Sequence, residues 1–555
     1  MMSRRFLSLA LAFPLALGAQ ASSSAAAAPC ACAAKITTGA LDADLRFLSS
    51  DLLEGRAPAT RGGRLAAAYI AAQLQIAGVL PGASGSYFQV VPIDVVGAVA
   101  STVRVTASGK ATAQLKYPDD VVVGPGSATD SSAARGELVF AGYGVEAAEY
   151  KWDDFKGEDM KGKVLLVLVN DPPASAAEPK LFGGKAMTYY GRWTYKYEEA
   201  ARRGAAGVLI VHTTEAASYP WHTVVGSWAT TQRMLPRDPA LPPPVGAAGW
   251  ITDSAATALL AQAGLAMVDL RAQAATRAFK PVHTGIQMDI SFRNTLAHMQ
   301  SENVVGLVRG SDAKLKDQYV VYSAHWDHLG IGPAVNGDSI YNGAADNASG
   351  TAALLAVARA SAKMQPTRRS QLFVFVTAEE AGLLGSAWFA EHPPAPAKQM
   401  VANLNMDVVP LEGRVRDLDV IGADKSTLGA MLAHLAQTKG LRISPDPHPE
   451  AGHFYRSDHF SFAKVGVPSL SIGGGTDYVG RPKGWGLQQQ ADYTAHRYHQ
   501  PSDEYRADFD LSGAVQIAGL VLTFGHALGN SPVVPVWNAN AEFKAARDAS
   551  GGPGT

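Results

Sequence analysis

From about residue 295 the chain alternates two hydrophobic patterns. Short runs of consecutive apolar residues at 319–324, 372–377, 401–406 and 467–472 predict buried strands. Between and after them, apolar residues recur every three or four positions over 348–363, 382–392, 428–439 and 511–528, which predicts helices. Strictly alternating elements of this kind imply a mostly parallel sheet with helices on both faces. Upstream, 41–53 and 62–77 carry helical spacing, and 87–96 and 102–106 read as strands. A Gly/Ser-rich stretch at 124–132 then marks a boundary. Beyond it lies a second set of elements. Strands are predicted at 137–143, 163–169 and 207–211. Helices are predicted at 195–203, stopped by Gly204, and at 254–263, with a Pro-rich surface run over 235–244. That set makes a smaller α/β module of about 150 residues, a usual domain size.

The polar positions that interrupt this pattern are not scattered. His325-Trp326-Asp327-His328 follows one predicted strand, Glu379-Glu380 a second and Asp407 a third, while Asp346 opens a predicted helix. In open α/β sheets ligands collect outside the carboxyl ends of the strands. Carboxylates and imidazoles gathered there are costly to bury unless paired or holding a metal. The donor set is oxygen and nitrogen without thiolate, which suits zinc, with cobalt or manganese as substitutes. With Tyr498-His499 further on, the ligand positions exceed the three of a single catalytic zinc and fit two metals sharing one carboxylate.

Composition changes the picture in two places. The formal net charge of −1 and the 8% aromatic share give neither the basic surface nor the stacking platform of a nucleic-acid binder. At the N-terminus, Arg4-Arg5, the apolar run 6–17 and Ala19-Gln20-Ala21 read as a signal peptide over 1–21, too short to span a membrane. The expected location is therefore periplasmic or extracellular, with no stable membrane insertion of the mature chain. Residues 22–35 read as a disordered linker. They include Cys30 and Cys32, which sit too close to staple a domain. The remaining organisation is a main α/β domain in two parts, 36–127 and 291–532, a module inserted at 128–290, and a tail at 533–555.

The polar clusters also carry a resemblance. His325-Trp326-Asp327, Gly343-Ala344-Ala345-Asp346-Asn347-Ala348-Ser349-Gly350, Glu379-Glu380, Asn405-Met406-Asp407 and Tyr498-His499 stand in order. They resemble the motifs of the co-catalytic zinc exopeptidase family that includes secreted bacterial aminopeptidases and glutamate carboxypeptidase. The inserted module resembles a protease-associated domain. The resemblance implies a three-layer, mostly parallel mixed sheet, two Zn2+ per chain and peptide substrates. It implies His325 and Asp407 on one zinc, Glu380 and His499 on the other, and Asp346 bridging, with a cis peptide at Asp346–Asn347. It implies Glu379 as general base, Asp327 orienting His325, and Tyr498 or Tyr455 as oxyanion donor. The expected activity is that of an exported aminopeptidase. A carboxypeptidase or dipeptidase on the same scaffold would need arginines to grip a carboxylate, for which Arg456 and Arg481 are the candidates. A receptor-like binding protein is the non-catalytic alternative, disfavoured because every ligand position is retained. Oligomeric state is not written in the sequence.

Overall fold

The computed structural model describes residues 35–553 except Ser218. The signal-peptide segment, most of the 22–35 linker, Cys30 and Cys32 lie outside the described residues. The centre of the fold is a parallel array in the order Ser370–Val376, Tyr319–His325, Met400–Asn405, Ser469–Gly474. All seven residues of Tyr319–His325 are buried, as expected for a strand covered on both faces. Antiparallel partners complete the mixed sheet. Val282–Val308 and then Phe88–Ala98 flank one side, and Asp417–Ile421 flanks the other.

Side-chain alternation along Tyr319–His325 divides the helices between the two faces. Tyr319 and Val321 pack with Phe389 of Leu384–Glu391 and Phe462 of His459–Lys464. Tyr322 points the other way, against the helix Ser512–Asn530. There a Cβ on Gly525 would stand 1.9 Å from the Tyr322 hydroxyl, so only glycine lets the helix approach. Ser512–Asn530 is long and apolar enough to cross a membrane, but most of it is buried in this core. The helix Gly350–Ala362, rich in alanine, packs beside it and is buried almost throughout.

One strand joins the two parts of the molecule. Val282–Val308 runs for 27 residues; its second half pairs in the central sheet and its first half in the sheet of the inserted module. The module's sheet starts earlier than the predicted boundary at 128. Arg104–Ser108 pairs with the first half of the long strand, and Val121–Pro125 pairs with Ala247–Thr252. The Gly/Ser-rich stretch at 124–132 is therefore internal to that sheet: alternation shows that a strand forms, not which sheet it joins. The tail is also more than a tail. Trp537 and Phe543 are buried with Tyr189 and Tyr190 of the module and with Phe454 and Tyr455, and Lys544–Ser550 is helical.

Candidate metal centre

Three adjacent parallel strands end at one edge of the sheet and deliver the predicted residues there. His325 is the last residue of its strand, Asp407 lies two residues beyond Asn405, and Glu379 and Glu380 follow Val376. Asp346 sits in the turn Ala344–Ser349 that feeds Gly350–Ala362, and the Asp346–Asn347 peptide is cis. His499 arrives from the far end of the chain, after the helix Trp485–His496. Ala378, Val408 and His499 hold left-handed backbone (φ 54°, 59° and 57°). For a β-branched valine this is a real outlier, and strain of about 1–3 kcal/mol per residue persists only where surroundings enforce it.

The shortest contacts sort the donors into two groups. His325 Nε2 lies 3.3 Å from Asp346 Oδ1 and 3.3 Å from Asp407 Oδ1. His499 Nε2 lies 3.3 Å from Asp346 Oδ2 and 3.1 Å from Glu380 Oε2. Each oxygen of Asp346 thus serves a different group. The centre is compact enough that His325, Asp346 and Glu380 also bring donor atoms within 4.8 Å of one another, as do His325, Glu379 and Asp407. Hydrogen bonds do not satisfy this cluster. His499 Nε2, Glu380 Oε1 and both ring nitrogens of His328 are buried without a hydrogen-bond partner. His328 Nδ1 is only 2.6 Å from Glu380 Oε1, but the pair is misaligned for a hydrogen bond. Buried acids and imidazoles converging without mutual satisfaction are what a pair of divalent cations would resolve, and the donor chemistry suits zinc.

Electrostatics say the same. Burial works against a charge on His325, yet the carboxylates of Glu379, Asp407 and Asp346 outweigh it and hold the imidazole well above its usual range. His499 is likewise opposed by burial and lifted to about 10 by Asp346 and Glu380. Asp346 is held far below the usual carboxylate range by the two histidines, against its burial. Glu379 goes the other way. Burial first, then the negative charges of Asp458, Asp407 and Glu380, push it well up. Two neighbouring carboxyl groups with opposite shifts mark different tasks.

Hydrogen bonds hold these residues in place. Asn347 Nδ2 donates to the Met406 carbonyl at 3.0 Å, and its Oδ1 accepts from the N–H groups of Gly350 and Val408. Asp503 accepts from the N–H groups of Ala345 and Asp346 at 3.0 and 3.1 Å. The Ser457 hydroxyl donates to Asp407 Oδ2 at 2.7 Å. Asp327 differs from expectation. The atom facing His325 Nδ1 is its backbone carbonyl, at 3.2 Å, because the chain turns directly after the strand. Its carboxylate stands 3.9 Å away and instead accepts the Glu379 N–H at 3.2 Å, so Asp327 positions both residues.

The two tyrosines separate. Tyr498 is 47% exposed, borders the cleft and stacks on His499 with ring centres 3.9 Å apart. Burial and the surrounding carboxylates raise its pKa, so its hydroxyl keeps its proton at neutral pH. Tyr455 is a correction: it is buried away from the cleft, donating to Glu542 beside Lys425, because the tail supplies that partner. Of the other histidines, His453 borders the cleft, while His448 and His496 are exposed and contact Glu450 and Asp492. Gly474 and Gly475 also border it, where a Cβ would collide with Pro410 and Asp417.

Sequence reasoning missed Arg56. It is wholly buried and donates to the carbonyls of Trp326, Leu48, Gly343 and Asn342. It therefore ties the loop after His325 to the loop before Asp346. Burial lowers it to about 10, against the pull of Asp503 and Asp346. No periodic or motif signal marks such a residue, since its partners are backbone atoms distant in sequence.

The cleft in front of these residues encloses about 570 Å³ and is lined by Asp346, Glu379, Glu380 and Asp407. A larger hollow of about 760 Å³ in the inserted module, around Asp171 and Arg271, has none of the clustered ligand chemistry.

Part of the chain is similar to known proteins. Residues 303–525 match the model of Peptidase family M28, the span that holds every proposed metal ligand. This segment of the chain is similar to that family. Similar curated proteins include the aminopeptidase NAALADL1 of Mus musculus, 34% identical over 130 residues, 22% of this chain and 16% of that protein. Aminopeptidase YwaD of Bacillus subtilis is 34% identical over 111 residues, 20% of this chain and 22% of that one. The chain thus spans well under a third of the length of either relative. Among solved structures, an aminopeptidase from Aneurinibacillus sp. strain AM-1 aligns over 89% of this chain and 94% of its own, at 20% identity and a TM-score of 0.46.

Proposed function

We propose that the chain is an exported, zinc-dependent aminopeptidase that hydrolyses N-terminal residues from peptides. The observation that carries the reading is the two-sided use of Asp346, one oxygen toward His325 and Asp407 and the other toward His499 and Glu380. His325, Asp346 and Asp407 would hold one zinc; Asp346, Glu380 and His499 would hold the second. Zinc held there supplies Lewis acidity toward the scissile carbonyl and lowers the pKa of water.

The chain's own residues carry the proton and set the geometry. Glu379, raised by burial, takes a proton from the attacking water and gives it to the leaving amine. Tyr498 donates its hydroxyl toward the developing oxyanion from the cleft wall. The carboxylates of Glu379 and Asp407 on the same wall suit a substrate's free α-ammonium. The N-terminal run 1–21 supports export to the periplasm or beyond, and the inserted module is read as a protease-associated domain that shapes the cleft.

A matched set of peptides tests the reading. Peptides with a free N-terminus should be shortened one residue at a time from that end, and their N-acetylated forms should be untouched. Cleavage confined to the acetylated set, releasing C-terminal residues, would instead identify a carboxypeptidase.

A further inference from the structure

The run His325-Trp326-Asp327-His328 leaves the sheet at the metal centre, and three of its four residues have visible tasks there. His325 faces Asp346 and Asp407, the Trp326 N–H donates to the Val376 carbonyl, and the Asp327 carboxylate accepts the Glu379 N–H. The fourth is His328. Its side chain is wholly buried, and among the described residues neither ring nitrogen has a hydrogen-bond partner. A buried polar group left unanswered is costly, so the ring at this place needs a reason.

It faces Glu380. His328 Nδ1 stands 2.6 Å from Glu380 Oε1, while the other oxygen, Oε2, stands 3.1 Å from His499 Nε2. The distances divide the histidines by task. Two donors on one tetrahedral zinc, each about 2.0–2.2 Å from the metal, sit about 3.3 Å apart. His325 and His499 meet their acids at 3.1–3.3 Å, as ligands of a shared ion would. At 2.6 Å, His328 and Glu380 are too close for that and near the ~2.7–2.9 Å of a hydrogen bond to a carboxylate. Only the angle is unfavourable, and a small rotation of either side chain corrects it. The ring is also braced: a Cβ on Gly343 would stand 2.5 Å from His328 Cγ, and Arg56 holds the Gly343 carbonyl at 2.7 Å. His459 gives the contrast. It too is buried with both ring nitrogens unpartnered, but it stands edge-on to Phe454, 4.8 Å between ring centres, and forms no ion pair among the described residues.

We propose that His328 is a positioning residue for Glu380: its Nδ1–H takes Oε1 and leaves Oε2 aimed beside His499, where the second zinc would be held. The inference rests on the two-zinc reading of the centre and deepens it. One loop then serves both glutamates, Asp327 fixing the backbone of Glu379 and His328 the carboxylate of Glu380. Partners that orient a ligand in this way are worth about 10–100-fold in metal affinity.

The test strips the full chain with chelator and titrates zinc back against a chromophoric competitor, which reads the two affinities separately; circular dichroism checks the fold. His328→Leu should weaken one zinc by about 10–100-fold and leave the other unchanged. His328→Asn, whose amide N–H stands in for Nδ1–H, should restore that affinity. Should leucine unfold the chain, His328→Gln takes its place, since its amide reaches the Nε2 position and puts no donor at Nδ1. In a His499→Ala background, where only the first zinc remains, His328→Leu should leave that zinc's affinity unchanged. Two unchanged affinities in the leucine or glutamine variant, both lowered alike, or an asparagine variant as weak as leucine overturns the proposal. A wild type that binds fewer than two zinc ions would instead sink the two-zinc reading itself.

Discussion

Asp346→Asn should empty the metal centre while leaving the fold intact. Asparagine keeps the size of the side chain and the backbone N–H that donates to Asp503. It removes the charge that both His325 and His499 face at 3.3 Å. Removing one member of a buried charged cluster costs about 3–5 kcal/mol, here directed at metal affinity rather than packing. Bound zinc, measured by elemental analysis after dialysis, should fall from two per chain to less than one, with an unchanged circular dichroism spectrum. Turnover should fall by about a thousandfold or more, in line with that energy. A variant that retained two zinc ions would refute the bridging role.

Glu379→Gln should behave in the opposite way. Its neighbour Glu380 is the carboxylate beside His499, whereas Glu379 lies within 4.8 Å of His325 and Asp407 without a close ion pair to either histidine, and is pushed up by burial and neighbouring acids. The amide keeps the shape and the backbone N–H that donates to Asp327. It cannot accept and release a proton, a loss worth about 10²–10⁴ in kcat. Zinc content should remain two per chain, and KM should change much less than kcat. Loss of zinc in this variant would make Glu379 a ligand and reverse the division of labour between the two glutamates.

Both variants alter residues that the amino-acid sequence itself marks. His325, Glu379, Glu380 and Asp407 are legible there because each interrupts or directly follows an apolar run long enough to be a buried strand, and parallel strands put such positions at one edge. Asp346 and His499 need the motif resemblance, since one lies in an irregular turn and the other follows an exposed helix that no clear periodicity marks. The long strand Val282–Val308 is not visible as a unit because its two halves face different sheets and its burial pattern changes along its length. The same ambiguity puts the expected module boundary at 128, too late in the chain. Arg56 escapes because its partners are backbone groups of distant loops. Tyr455 departs from expectation for a related reason: its partner Glu542 belongs to a segment too short and irregular to be read as structure.

The tail's contribution follows from that last contact. Glu542 accepts from Lys425 at 3.0 Å and from the Tyr189 N–H at 3.2 Å, as well as from Tyr455. It therefore joins the inserted module to the loop His453–Tyr455, which leads directly to Arg456 and Ser457. The serine on Asp407 therefore follows within a few residues of the same aromatic cluster.

The central claim is two metals sharing Asp346 in an aminopeptidase, and a single titration addresses it. The purified chain is stripped with chelator and zinc is returned in known equivalents while release of the N-terminal residue from a free peptide is followed. The account predicts no turnover without zinc and recovery that reaches its plateau at two equivalents. Full activity in the stripped protein, or a plateau at one equivalent with no further metal bound, would contradict it.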